Sequence, residues 1–131
     1  MRAAILFSAL FFLTGCGKTF MEGKWTPDTT AYQSRLERLA SAEREKAKSE
    51  NAVFDGAELE IDGQFIITTW PNFGYKNAYR ILSKSENELV LAVDYLRNGT
   101  FRWIVRQTAG GIEIQREENL PVPFRRTLSA D

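Results

Sequence analysis

Histidine is absent from this 131-residue chain, and cysteine occurs once, at position 16. The first absence removes the commonest general base and the commonest metal ligand together. The second rules out a disulfide within the chain, so the fold must stand on a hydrophobic core. Net charge is missing too, with 17 basic residues balancing 17 acidic ones. That balance argues against nucleic acid and against a polybasic membrane-binding surface, and Arg125-Arg126 is too short a basic run to reverse it. The longest apolar stretch, near the start of the chain, is too short to span a bilayer.

What is present begins with that stretch. Arg2 precedes Ala3-Ala4-Ile5-Leu6-Phe7-Ser8-Ala9-Leu10-Phe11-Phe12, which closes on Leu13-Thr14-Gly15-Cys16. A cationic start, an apolar centre and small residues before a cleavage point form a secretory signal. The four closing residues resemble the lipobox of bacterial lipoproteins, whose cysteine is acylated, palmitate among the chains, and exposed by cleavage. The resemblance implies attachment through Cys16, and several acyl chains give stable anchoring where one would be marginal. Gly17 is not the aspartate that retains such proteins in an inner membrane, so the family rule implies the outer membrane, facing the periplasm. The expected organisation is a signal peptide over 1–15, a lipidated tether over 16–22 and one domain over 23–131.

Within the domain, Pro27-Asp28-Thr29-Thr30 reads as a helix start, with Thr30 and Gln33 in capping-box spacing. The helix is expected to run to about Glu50 and stop at Asn51. Its apolar stripe is narrow (Tyr32, Leu36, Leu39, Ala40 and Ala47), and Glu43–Lys46 and Glu45–Lys48 are spaced as ion pairs. From Ala52 the apolar period becomes two. Ala57, Leu59 and Ile61 alternate with Glu58 and Glu60, and about seven strands follow, joined by short turns in an antiparallel meander. Pro121 and Pro123 place the last strand at an edge.

Two hairpin registers follow from the glycines in their turns. A three-residue loop, Ile61-Asp62-Gly63, pairs Leu59 with Phe65 and Ala57 with Ile67, which keeps the apolar side chains on one face. The two-residue alternative puts Phe65 and Ile67 beside the glutamates. A three-residue loop, Arg97-Asn98-Gly99, sets Tyr95 opposite Phe101, Val93 opposite Trp103 and Leu91 opposite Val105, with Asp94 beside Arg102 outside. The expected core face is Leu59, Phe65, Ile67, Leu91, Val93, Phe101, Trp103 and Val105.

Catalytic chemistry finds no constellation. Glu58 and Glu60 fall on a strand exterior and Glu117-Glu118 in a loop, so nothing splits their acidities for acid–base work, and the serines lack an activating histidine. No catalytic residue, metal ligand or cofactor is assigned. Gly23-Lys24-Trp25 resembles the Gly-x-Trp of lipocalins and related calycin barrels. In that family the tryptophan plugs one barrel end beneath an arginine of the last strand, a role that falls here to Arg125 or Arg126.

The fold expected is α+β: one N-terminal helix packed on a twisted antiparallel β-meander that can close toward a small calycin-like barrel. Aromatic density marks Trp25, Trp70, Phe73, Tyr75 and Tyr79 as candidate binding residues. The functional expectation is a non-catalytic, lipid-anchored envelope lipoprotein that binds a protein partner, in assembly or as an inhibitor. The alternative is a calycin-like binder of a small apolar ligand, with an unrecognised hydrolase third. Replacing Cys16 with Ser should abolish incorporation of labelled fatty acid and leave the chain uncleaved or unanchored; a wild type that takes up no label would refute the assignment.

Overall fold

A computed structural model describes residues 18–128. Cys16 and the signal segment lie outside them. Eight antiparallel strands follow one another around a closed barrel, each paired with its sequence neighbours, and the last pairs with the first. They are β1 (Gly23–Pro27), β2 (Glu58–Ile61), β3 (Phe65–Trp70), β4 (Phe73–Lys84), β5 (Glu88–Asp94), β6 (Thr100–Thr108), β7 (Gly111–Arg116) and β8 (Val122–Arg126). Two helices, α1 (Thr29–Glu37) and α2 (Ser41–Glu50), and a single 3-10 turn (Ala52–Phe54) lie between β1 and β2. The molecule is therefore mostly sheet. β1 is the strand missing from the sequence reading, and β8 has no free edge because β1 covers it.

The single expected helix is two shorter ones. Asp28, not Thr30, caps the first: its carboxylate accepts from the Ala31 N–H at 3.1 Å. The ladder holds Asp28 there, since its own N–H donates to Pro123 O at 2.9 Å. The break at Arg38–Ala40 is stabilised by Arg44, whose guanidinium donates to Leu36 O and Leu39 O, both at 3.1 Å. Leu36 O also accepts from the Leu39 N–H at 3.0 Å, so Arg44 adds a second bond at the carbonyls left open where α1 stops. Of the two expected ion pairs, Glu45–Lys48 forms at 3.7 Å, while Lys46 instead meets Glu50 at 3.4 Å. Both are exposed and contribute little.

Asn51 ends α2 as expected and does more. It is buried, and its Nδ2 donates to Tyr32 Oη at 3.1 Å and to Leu120 O at 2.9 Å, joining both helices to the β7–β8 connection. Arg35 adds a second tie, donating to Pro121 O at 3.1 Å and to Glu113 at 2.9 Å. Arg106 joins Glu113 to Glu88 in the same outer network.

The first hairpin register differs from expectation. Ile61 pairs with Ile66 and Leu59 with Thr68, so Ile66 and Thr68 face inward, while Phe65 and Ile67 share the outer face with Glu60. The longer connection is favoured because Asp62 caps it: one carboxylate oxygen accepts from the Gln64 and Phe65 N–H groups, both at 2.7 Å. These two bonds hold the Asp62 carboxyl below its usual range. The half-buried ring of Phe65 is covered by Lys76, whose Nζ lies 4.2 Å from its centroid.

In the β5–β6 hairpin the faces are as expected and the pairing is shifted. Leu91, Val93, Trp103 and Val105 are buried, but Val93 pairs with Phe101, Leu91 with Trp103 and Asp94 with Thr100. The loop is Tyr95–Gly99, enlarged by a 3-10 turn whose start is held by Asp94, which accepts from the Leu96 N–H at 2.9 Å. A shift of two residues preserves the face of every side chain.

The interior is filled. Met21, Trp25, Leu59, Ile61, Ile66, Leu91, Trp103, Ile114 and Phe124 pack together, with Phe54 from the 3-10 turn inserted among them. Its ring meets Phe124 edge-on at 5.1 Å and Trp103 at 6.0 Å. Truncating Trp103 to Ala should cost about 3–5 kcal/mol in urea denaturation, whereas Asp94→Asn, on the exposed face, should cost less than about 1 kcal/mol.

Candidate functional site

The barrel has two unlike ends. Residues 20–22 run under one end and into β1 at Gly23. There Trp25, 2 % exposed, donates its Nε1–H to Met21 O at 2.8 Å. Arg126 from β8 lies over the indole, its guanidinium carbon 4.2 Å from the ring, and donates to Glu22 O at 2.8 Å. Gly23 makes this crossing possible, because a Cβ there would collide with the Arg126 guanidinium and the backbone φ of +134° disfavours any side chain. Of the two arginines offered by the sequence, Arg126 takes the position above Trp25.

Tyr79 also belongs to this end. It is buried, and its hydroxyl donates to Asp62 O at 2.5 Å. Burial, with the charges of Glu22 and Asp62, pushes its pKa up to about 12. Trp25 and Tyr79 are thus parts of the closed end, away from the other three candidates.

The other three candidates come together at the opposite end. Trp70 and Phe73 close the β3–β4 turn and stack at 4.6 Å and 15°, and Tyr75 meets both edge-on at 5.7 Å. The reason is a mismatch of strand lengths. β4 pairs with β3 from Phe73 onward, but with β5 only from Tyr79, opposite Val93. The β3–β4 tip therefore projects past the barrel rim. Trp70, Phe73 and Tyr75 continue the register of the inward-facing Ile66, Thr68 and Tyr79, so they turn toward the mouth with no core beneath them.

Between this tip and the Tyr95–Gly99 loop lies a cleft of about 310 Å³. Trp70, Tyr75 and Asn77 form one wall, Tyr95, Leu96 and Asn98 the other, and Phe54, Thr68 and Trp103 the floor. Trp103 Nε1 donates to Tyr95 Oη at 3.1 Å, which fixes the far wall, and burial raises the Tyr95 pKa. Asn77 Nδ2 reaches across the gap to Asp94 O at 3.1 Å.

The rim is apolar and exposed. Of the exposed large apolar residues among those described, Val53, Phe73, Tyr75 and Leu96 (41 %, 55 %, 59 % and 78 % exposed) are at this end, while Ile81 and Leu82 lie farther along β4 and Leu128 follows β8. Leu96 is also held at a φ of 58°, a left-handed conformation that is costly for a branched side chain. A second hollow, about 270 Å³, lies on the other side of Phe54 between Tyr32, Asn51, Asp55 and Val122.

Sequence reasoning missed Val53, Phe54, Tyr95, Leu96 and Trp103 as site residues. The signal for Val53-Phe54 is an apolar pair directly after a charged helix; for Leu96, an apolar residue in a polar turn. Glu58 and Glu60 are exposed on the outer face, and Glu117 accepts from the Arg102 N–H at 2.7 Å. No cluster of three potential metal ligands occurs among the described residues, and no helix among them is long and apolar enough to cross a membrane. No protein-family model, curated protein or solved structure matches this chain.

Tyr79 is neutral in the folded state well above its ordinary pKa of 10.0. Its contribution to stability is full below pH 10 and is lost as pH rises through about 12, because the unfolded chain ionises first. Tyr79→Phe should remove that alkaline loss and cost about 0.5–1.5 kcal/mol at neutral pH; urea denaturation across alkaline pH checks both.

Proposed function

We propose that this protein is a non-catalytic envelope lipoprotein, anchored through Cys16, that binds a protein partner at the cleft between the β3–β4 tip and the Tyr95–Gly99 loop. The observation carrying this reading is the gathering of exposed apolar side chains around one cleft over a filled barrel. Exposed apolar patches rimming a hollow are a property of interaction sites. Aromatic walls give contact area at small entropic cost, and a pocket that accepts one side chain suits an interface hot spot.

A filled interior supports a partner over a small apolar ligand. Small-molecule sites occupy roughly 300–1,000 Å³ and enclose most of the ligand. The cleft stands at the bottom of that range and opens to solvent between its two walls. The Arg126–Gly23–Trp25 arrangement supports a calycin-like ancestry for the barrel, in which the interior has been given over to stability.

Anchoring through Cys16 gives the two ends different roles. The chain from the lipid joins the closed end at Gly23, so the cleft points away from the membrane, toward molecules in the periplasm. A photo-crosslinking residue at Phe73 or Leu96 should trap one discrete envelope protein, and one at Leu82, near the opposite end, should trap none. Phe73→Ala should weaken that association at least about tenfold. Crosslinks of equal yield at Leu82 would overturn the reading. Absence of any adduct, with tryptophan fluorescence shifting on titration with fatty acids, would favour the small apolar ligand.

A further inference from the structure

We infer that the free edge of β4 beside the cleft is a strand-addition site, taking an extended segment of the partner protein that carries alternating apolar side chains and a carboxylate. The inference rests on the binding reading above and specifies its chemistry.

Its basis is the hydrogen-bond alternation of β4. In an antiparallel pair, successive residues direct their backbone groups to opposite sides. The Tyr79 N–H donates to Gln64 O at 3.1 Å, so Tyr79, and with it Asn77, Tyr75 and Phe73, bonds toward β3. Gly74 and Lys76 direct their N–H and C=O groups the other way, toward β5. There the ladder starts only at Tyr79. No hydrogen bond among the described residues takes these four groups. They form a short row of donors and acceptors along one wall of an apolar cleft, an arrangement that a polypeptide backbone satisfies and an acyl chain cannot.

The side chains define the guest. In an added strand, alternate residues would face Trp70, Tyr75, Tyr95 and Trp103 in the cleft and should be apolar. The residue opposite Lys76 would lie on the outer face. Lys76 lines the gap and Arg97 lies in the facing loop between Leu96 and Asn98; neither forms an ion pair among the described residues, so a carboxylate in the guest complements this positive charge.

The occupant is a single strand of another protein and not a second copy of this one. The free stretch is short and is faced across the cleft by the Tyr95–Gly99 loop, with Leu96 at its lip. A two-fold dimer needs a self-complementary patch, and two copies of this edge would set Lys76 and Arg97 against the same positive charges.

The test uses the full chain and a displayed library of short linear peptides, with amide hydrogen exchange as the readout. Selected peptides should alternate apolar residues and carry Asp or Glu. On binding, the Gly74 and Lys76 amides should slow at least about tenfold, while the exposed Gly63 amide stays fast. Lys76→Pro removes one N–H from the free edge and none from the β3 ladder, and should weaken binding at least about tenfold. An ester in place of the Lys76 amide keeps the side chain and should do the same, which guards against a misfolded proline variant.

Peptides that need Phe73 but leave both amides fast and tolerate the ester would overturn strand addition and leave the cleft reading standing. Dimerisation without peptide, with the same amides protected, would overturn the choice of occupant. Failure to select any peptide, together with absence of crosslinks at Phe73 and Leu96, would overturn both.

Discussion

Closure of the sheet between β1 and β8 is the contact on which the remainder of this molecule depends. The seam is short, with Trp25 opposite Arg126, Thr26 opposite Arg125 and Pro27 opposite Phe124. Without it the meander would have two unpaired edges and an interior open along one side. The seam is reinforced at its end, where Thr127 N–H donates to Lys24 O at 3.0 Å and the hydroxyls of Thr26 and Thr127 are 2.6 Å apart. Arg126 then crosses Gly23 to lie on Trp25. A cation over an indole adds a modest attraction at an exposed site, but here it also fixes the path of residues 20–22 through Glu22 O. One side chain thereby ties β8 to residues 22–25, about a hundred positions away in sequence.

Closing eight strands produces an interior that side chains can just fill. The strands alone leave the mouth short of apolar volume, and the segment between β1 and β2 supplies it. Phe54 enters from the 3-10 turn and is held edge-on between Trp103 and Phe124. Arg116 covers the same ring from 5.0 Å and donates to Glu50 O, at the end of α2. The helices are thus attached through polar ties at Arg35 and Asn51 and through one buried aromatic. Their weak amphipathicity in the sequence follows from this. A helix fixed by Leu36 or Ala47 alone has no need of a broad apolar face.

Much of the barrel could be read from alternation, and the errors have a common cause. Period-two patterning identified β2 to β8, and the Gly-x-Trp resemblance correctly pointed to an arginine over Trp25. The inward set of β2 was legible because Leu59 and Ile61 alternate with glutamates, and those of β5 and β6 because the other parity would turn Asp94 and Arg102 inward. β3 was not, since Phe65, Ile66 and Ile67 are all apolar, and either parity offers a plausible core. The choice was decided by Asp62, whose carboxylate caps two backbone N–H groups and lengthens the turn. A polar residue in a loop thus overruled a hydrophobic pattern in a strand. Asp94 likewise stabilises a longer β5–β6 loop, there shifting the pairing by two residues without changing any face. Of the candidate site, the tip aromatics were legible as a run, but their separation from Trp25 and Tyr79 was not, because it depends on which end of the barrel each strand faces.

The exposed mouth follows from those same turns. β4 outruns β5 at the rim, and the Asp94-capped loop turns the chain back before it can cover Phe73 to Asn77. Pairing the whole of β4 would have required β5 to continue through Tyr95 and Leu96 as far as Gly99. Tyr95 instead turns in to accept the Trp103 N–H, and Leu96 takes a left-handed backbone conformation with its side chain in solvent. A chain that spends conformational strain to leave an apolar residue outside gains nothing in stability from doing so. Both cost terms fall at one lip of one cleft, while the opposite end is closed by a glycine, a tryptophan and an arginine in close contact. The strained exposed leucine and the unpaired edge are one consequence of stopping β5 early, and the binding proposed for the mouth turns on that stop.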